Sequence, residues 1–303
     1  MGQKRLHSKQ VLHVSGQTVY FNNSESLDFI EDESVDFIMT SPPYWNLKDY
    51  GHKNQIGSSD YETYLGRLNN VWNECYRIAK PNAIFVLNVG NRRHNKQFIP
   101  IGYDIYGRMK DWKLWDSLIW YIPNALPQPR SYIERLFDNK YELLLIFTKD
   151  GGNSDYTFHK PRVENKYKHV DPRKNKMNPR GRCLGNILRI PAYRPPNVKT
   201  MNYHIASYPD ELVSIMLETM TNECDVVFDP FLGSGTTLKI SRAMNRKGIG
   251  VELNSDFRDT IRNKICEPFK IPDWKTLDII HSTTMDTGNN PRRRMATSNG
   301  INS

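Results

Sequence analysis

Apolar and polar positions along the chain predict strands that alternate with helices. Short apolar runs bounded by turn residues predict buried strands at Val35–Met39, Ala83–Val89, Leu143–Phe147, Asp225–Phe228 and Gly248–Leu253. Helical spacing of apolar residues and helix start and stop signals predict helices at about 60–79, 209–220, 236–245 and 256–265. This order is typical of an α/β fold with a mostly parallel, doubly wound sheet and helices on both faces.

Local signals mark the ends of the first helix. Ser59, followed three residues later by Glu62, forms a capping box and predicts the helix start, while Lys80-Pro81-Asn82 predicts its end. Ligands of such sheets bind at the carboxyl ends of the strands. We therefore expect a site in the loops that follow Met39 and Phe228.

The composition is that of a folded globular protein. Of 303 residues, 38% are apolar and 25% are charged. No apolar run approaches the roughly 18 residues that a membrane span needs. The four cysteines lie far apart and lack metal-ligand spacing, so we expect free thiols, a cytoplasmic protein and no metal site.

The net charge of +9 is concentrated in one segment. Residues 151–200 hold twelve Lys and Arg against three Asp and Glu, whereas the rest of the chain holds 30 of each sign. This segment also contains six prolines and several aromatic residues, which predicts a loop-rich insertion between two ordered halves. Such localised charge favours a surface that binds a polyanion, and a solvated linker is the alternative interpretation.

The loop after Asp225–Phe228 is rich in glycine and runs from Asp229 to Thr237. It lacks the Lys-Ser/Thr of a phosphate-binding loop, and Leu238 stands where a dinucleotide fingerprint has its third glycine. The next strand leads to Glu252, whose carboxylate can accept hydrogen bonds from vicinal ribose hydroxyls. A glycine loop and a ribose acid without a phosphate-binding group predict an adenosine-type ligand such as S-adenosylmethionine. A plain tight turn followed by a helix-capping acid is the alternative.

The loop after Val35–Met39 contains Ser41-Pro42-Pro43-Tyr44. The two prolines stiffen the backbone and leave carbonyl groups as acceptors. Acceptors from Ser41 Oγ and the Pro42 carbonyl could localise the lone pair of an exocyclic base amine, and Tyr44 could stack on a base that has left the duplex. By itself, this segment is equally compatible with an ordinary diproline turn beside a core tyrosine.

Together the two loops resemble the amino-group DNA methyltransferases. The catalytic signature of that family, (Asp/Asn/Ser)-Pro-Pro-(Tyr/Phe/Trp), matches Ser41–Tyr44, and its cofactor signature, Asp-x-Phe-x-Gly-x-Gly-Thr-Thr, matches Asp229–Thr237 at every fixed position. The catalytic motif comes first and a basic segment lies between the motifs, as in the circularly permuted β group. The serine of the motif resembles type II N4-cytosine-specific modification methyltransferases.

The resemblance implies the methyltransferase fold, S-adenosyl-L-methionine as cofactor and double-stranded DNA as substrate. It implies residues 11–150 as the catalytic half, 151–200 as an inserted target-recognition region and 201–281 as the cofactor-binding half. The Asn, Gly, Ser and Thr content of residues 282–303 predicts a disordered tail. The implied cofactor-binding residues are Asp229, Pro230, Phe231, Gly233, Ser234, Gly235, Thr236, Thr237, Glu252, Asn23, Thr40 and His204. The basic residues expected to bind DNA are Lys160, Arg162, Lys166, Lys168, Arg173, Lys174, Lys176, Arg180 and Arg182.

Direct attack of the cytosine amine on the methyl group would need neither a metal nor a covalent intermediate. Because Ser41 is a poor base, we expect the proton to pass to solvent. Adenine N6 methylation is the nearest alternative, followed by methylation of RNA or of a protein amide and by a non-catalytic DNA-binding protein. The resemblance also allows a cognate restriction endonuclease and a homodimer, which no residue of the chain demonstrates.

Overall fold

The computed structural model describes residues 10–46, 54–126, 135–153, 155–163, 182–192 and 208–271. Its strands are β1 (Val11–Val14), β2 (Gln17–Phe21), β3 (Val35–Thr40), β4 (Ala79–Val89), β5 (Arg92–His94), β6 (Gln97–Ile99), β7 (Lys113–Tyr121), β8 (Tyr141–Thr148), β9 (Arg162–Val163), β10 (Arg182–Cys183), β11 (Ile187–Arg189), β12 (Val226–Asp229) and β13 (Lys247–Glu252). Its α-helices are α1 (Tyr61–Ile78), α2 (Ile101–Arg108), α3 (Asp210–Met220), α4 (Thr236–Ala243) and α5 (Arg258–Cys266).

Nine of these strands form one sheet in the order β1-β2-β13-β12-β3-β4-β8-β7-β11. The five strands from β2 to β4 are parallel to one another, whereas β8 is antiparallel to both of its neighbours and β1 is antiparallel to β2. The predicted doubly wound, mostly parallel sheet is therefore confirmed. Its parallel strands place their carboxyl ends along one edge.

Helices cover both faces of the sheet, because alternate residues of its central strands are apolar on each side. On one face, α1 buries Leu68 and Trp72 against β3 and β4. On the other face, α3 buries Leu212 and Met216 against the opposite sides of the same strands. Within the described ranges, no helix combines the length and hydropathy that a transmembrane segment requires.

The first helix lies where the sequence predicts it, but it begins with a different capping residue. Asp60 is its N-cap, because the Asp60 carboxylate accepts a hydrogen bond from Thr63 N at 2.9 Å, while the Ser59 hydroxyl donates to Ile56 O instead. The helix ends at Ile78, and Pro81 lies inside β4. An aspartate and a serine cap equally well, so the sequence alone could not choose between them.

The basic segment is partly built into the sheet. Residues of β11 pair in parallel with β7, and Leu188 is fully buried in the core. The end of the predicted insertion therefore supplies an edge strand of the central sheet. The expected tail at 282–303 and residues 164–181 lie outside the described residues.

Candidate active site

Two loops meet at the carboxyl edge of the sheet. One follows β3 and contains Ser41 and Tyr44, and the other follows β12 and contains Phe231 and Gly233. Because β3 pairs directly with β12, the loops border a single cavity, which the end of β13 closes with Glu252. The two predicted motifs thus share one site although they are far apart in the sequence.

The Asp229 carboxylate lies behind the wall of this cavity and is 1% exposed. Its Oδ1 accepts hydrogen bonds from Thr40 Oγ1 at 2.7 Å and Phe231 N at 3.0 Å. Its Oδ2 accepts from Thr237 Oγ1 at 2.6 Å and from the Tyr208 hydroxyl at 3.0 Å. Burial raises the pKa of Asp229, while these donors oppose the shift. The carboxylate therefore joins the two loops, α4 and the segment before α3.

Glu252 faces the cavity. One carboxylate oxygen accepts a hydrogen bond from Gly233 N at 3.0 Å and the other from Asn254 N at 2.9 Å, which leaves a lone pair on each oxygen for a ligand. Burial raises the pKa of Glu252 to about 7. Gly233 and Gly235 have φ angles of +56° and +99°, which explains the need for glycine in this loop.

Arg67 on α1 binds two segments of the chain at the rim of the cavity. It pairs with Glu25 at 2.6 Å and donates hydrogen bonds to the carbonyl oxygens of Asn54 and Gln55. Glu25 in turn accepts a hydrogen bond from Asn23 Nδ2 at 2.9 Å. Sequence reasoning missed Arg67, because nothing in its local pattern distinguishes it from other polar residues of an amphipathic helix.

Tyr44 links the catalytic motif to a second carboxylate. Its hydroxyl accepts a hydrogen bond from Gly90 N at 3.2 Å. Burial and the neighbouring Glu142 carboxylate, at the start of β8, raise the pKa of this hydroxyl, while the Ser41 side chain opposes the shift. Burial raises the pKa of Glu142, while the neighbouring Asn88 and Tyr44 side chains oppose the shift. Gly90 lies against both side chains, since a Cβ there would be 3.3 Å from Glu142 Cγ and 3.4 Å from the Tyr44 hydroxyl.

Glu142 is the second functional candidate that sequence reasoning missed. The signal that could have found it is a carboxylate at the start of an otherwise apolar, buried strand. Its partner could not be inferred, because Tyr44 and Glu142 lie on segments that only the sheet order brings together.

The structure places most predicted site residues around the cavity. Those that line it are Ser41, Pro42, Pro43, Tyr44, Asn23, Pro230, Phe231, Gly233, Ser234, Thr236 and Glu252. Thr40, Asp229 and Thr237 form the hydrogen-bonded layer behind the wall, and Gly235 caps α4. His204 lies outside the described residues.

The structure describes three of the predicted DNA-binding residues, and one of them, Lys160, lies away from the cavity. Lys160 follows His159, whose backbone N–H donates to Thr219 O and whose ring contacts Asn222 at 2.9 Å. Those partners precede β12, at the amino edge of the sheet. Arg162 and Arg182 lie in the paired strands β9 and β10. The remaining predicted residues, Lys166, Lys168, Arg173, Lys174, Lys176 and Arg180, lie outside the described residues.

Comparison with known proteins identifies the family. A family model described as DNA methylase, for N6 and N4 methyltransferases, matches residues 35–263, a range that includes both loops. The chain therefore belongs to this DNA methylase family. It is 33% identical over 249 residues to type II methyltransferase M.MwoI of Methanothermobacter wolfeii, a match that covers 80% of this chain and 32% of the relative. The chain thus spans about a third of the length of that relative.

Solved structures agree on the architecture. PvuII DNA methyltransferase, described as cytosine-N4-specific, superposes with a TM-score of 0.64 at 20% identity, covering 88% of this chain and 92% of the other. A Thermus thermophilus protein, described provisionally as a DNA modification methylase and solved in complex with S-adenosyl-L-methionine, superposes with a TM-score of 0.56 at 26% identity, covering 82% and 92%. The fold is that of S-adenosylmethionine-dependent methyltransferases.

Proposed function

We propose that this protein is a site-specific DNA methyltransferase that transfers a methyl group from S-adenosyl-L-methionine to the N4 amine of cytosine. The observation that carries the proposal is the single cavity that joins the Ser41–Tyr44 loop to the glycine loop and Glu252. Serine at the first position of the catalytic motif supports cytosine N4 over adenine N6. The name of M.MwoI, a type II methyltransferase, supports a role as the modification enzyme of a restriction-modification system.

The residues around the cavity fit the cofactor. The free lone pairs of Glu252 match the two hydroxyls of a ribose, and Phe231, Ile56 and Leu253 supply apolar surface for an adenine ring. When bound, the cofactor supplies an electrophilic methyl group. Asp229 contributes indirectly, because all four of its hydrogen-bond donors are protein groups that fix the loops.

Ser41, Tyr44 and Glu142 form a route for the proton that the target amine must lose. The new nitrogen–carbon bond would form as the sulfur–methyl bond of the donor breaks, with its electron pair left on sulfur. The amine proton would pass to Ser41 Oγ, the Ser41 proton to the Tyr44 oxygen, and the Tyr44 proton to a Glu142 oxygen. Ser41 and Glu142 are both neighbours of the Tyr44 hydroxyl, as such a route requires. The raised pKa of Glu142 makes it a better proton acceptor than an exposed carboxylate. We propose this route in place of the direct loss of the proton to solvent that the sequence suggested.

The test is nucleoside mass spectrometry of mixed-sequence duplex DNA after incubation with the protein and S-adenosyl-L-methionine. We expect N4-methylcytosine from the wild type and from Lys247→Gln, an exposed position at the amino end of β13, and much less of it from Ser41→Ala. N6-methyladenine would retain the mechanism and overturn the base assignment. No methylated base, with cofactor binding demonstrated by calorimetry, would overturn the proposed function.

A further inference from the structure

A basic hairpin stands beside the catalytic loop. It consists of β5 and β6, paired antiparallel with Arg93 opposite Phe98, and two residues join the strands. These residues, Asn95 and Lys96, have φ angles of +48° and +68°, as a tight type I′ turn requires. Residues 91–99 contain two arginines, a lysine and a histidine but no acid.

The base of the hairpin is fixed to the catalytic loop. The Arg92 guanidinium donates to the carbonyl oxygen of Trp45, the residue after Tyr44. The His94 ring packs edge-on against the Trp45 ring, with centroids 4.9 Å apart. Trp45 is itself held by a 2.9 Å hydrogen bond from its Nε1 to Ser59 O. The position of the hairpin is therefore tied to the position of the motif that receives the target base.

The far end of the hairpin is exposed and positively charged. Phe98 is 52% exposed, and the Arg93 guanidinium lies 5.6 Å from the centre of its ring. Within the described ranges, neither Arg93 nor Lys96 forms an ion pair with a carboxylate. Two cations without acidic partners, beside an exposed aromatic ring, are typical of a surface that binds nucleic acid.

We propose that the hairpin 91–99 is a DNA-binding element that contacts the sugar–phosphate backbone next to the flipped nucleotide through Arg93 and Lys96. This inference rests on duplex DNA being the substrate. Lys160, which the sequence favoured for DNA binding, lies near the amino edge of the sheet, whereas the hairpin begins at the carboxyl edge, two residues after Gly90. The hairpin is thus placed where phosphates adjoining the target base must pass.

Anisotropy titrations of a labelled mixed-sequence duplex at several salt concentrations test the proposal. The variant is Arg93→Gln/Lys96→Gln. Its matched control is Lys110→Gln/Lys247→Gln, which removes the same charge from exposed positions near the amino edge. Loss of two phosphate contacts should lower the slope of log affinity against log salt by about 1.8 and weaken binding at least about tenfold at low salt. The control should keep the wild-type slope, and calorimetry should show unchanged cofactor affinity in both variants.

Two results would overturn the proposal in different ways. If the hairpin variant keeps the wild-type slope while the wild type binds DNA, the hairpin is not a phosphate-binding element, and the methyltransferase assignment is unaffected. If the wild type itself shows no salt-dependent DNA binding, duplex DNA is not the substrate and both proposals fail. An equal fall in slope for the hairpin variant and the amino-edge control would also refute a local role, because it would reflect net charge alone.

Discussion

Affinity for S-adenosylmethionine should depend on pH through Glu252. Burial raises the pKa of this carboxyl from 4.5 to about 7 in the ligand-free protein. Only the ionised form can accept hydrogen bonds from both ribose hydroxyls while its two oxygens also accept from Gly233 N and Asn254 N. Binding should therefore be strong above pH 7 and weaken as the pH falls through 7.

The size of the effect follows from the ionised fraction. With a pKa of about 7, roughly nine-tenths of Glu252 is ionised at pH 8 and roughly one-tenth at pH 6, so the dissociation constant should rise about tenfold between them. The Glu252→Gln side chain cannot ionise. Its NH₂ group replaces one carboxylate oxygen, so one of the two backbone N–H groups that donate to Glu252 loses its acceptor. The affinity of this variant at pH 8 should fall by about 10 to 100-fold, since a buried hydrogen-bonding group loses its partner, and should then vary less with pH.

Isothermal titration calorimetry at pH 6, 7 and 8 measures these constants. The control is Glu62→Gln, because Glu62 is exposed on α1 and pairs with Arg108 away from the cavity. Titration of the ligand's own amino group affects all three proteins equally and cancels in the comparison. A wild-type affinity that is constant from pH 6 to 8, or an equal pH dependence in Glu252→Gln, would refute this role.

Three other substitutions separate the roles of the remaining site residues. Ser41→Ala or Tyr44→Ala should retain cofactor binding and lose most turnover; normal methylation rates in single-turnover assays would contradict their catalytic role. Glu142→Gln should lower turnover by about 10²-fold or more, because it removes the proton acceptor. It should also remove the fall in rate at acidic pH from the pH–rate profile. An unchanged profile would mean that the proton passes directly to solvent. Asp229→Ala should abolish cofactor binding and lower the free energy of unfolding by about 3 kcal/mol, because four donors lose their acceptor; a calorimetric affinity equal to the wild type would contradict this.

The sequence predicted those strands whose apolar residues are buried on both faces of the sheet. All five predicted strands are present, with ends within a few residues, because each is a continuous apolar run at the centre of the sheet. It missed β2 and β7, where polar residues interrupt the pattern; β7 exposes much of its length. It also missed α2, which has only eight residues and begins beside Pro100. Short or half-exposed elements depend on tertiary contacts that no local pattern encodes.

The residues of the site also fall into a group that the sequence predicted and a group that it did not. The two motifs and Glu252 could be predicted to meet, because each follows or ends a strand of a parallel sheet and such ends share one edge. Glu142 and Arg67 could not be predicted, since their roles come from partners distant in the sequence. The assignment of phosphate binding to residues 151–200, made from their charge, their aromatic residues and their place between the two motifs, stays a prediction, because most of its basic residues lie outside the described residues.

Asp229 explains how two motifs that lie far apart in the sequence form one site. Its Oδ1 binds Thr40 from the catalytic strand and Phe231 from the cofactor loop, so a single atom sets the distance between the two loops. The Asp229→Asn variant tests whether cofactor binding depends on the hydrogen bonds of this side chain or on its negative charge. Its amide oxygen can keep the Phe231 N–H, which can only donate, while its NH₂ group faces Tyr208 and Thr237, whose hydroxyls can turn and accept. The asparagine variant should therefore bind the cofactor within about tenfold of the wild type, whereas the alanine variant should not. If both variants lose binding equally, the negative charge itself contacts the cofactor, and the carboxylate is more than a link between the loops.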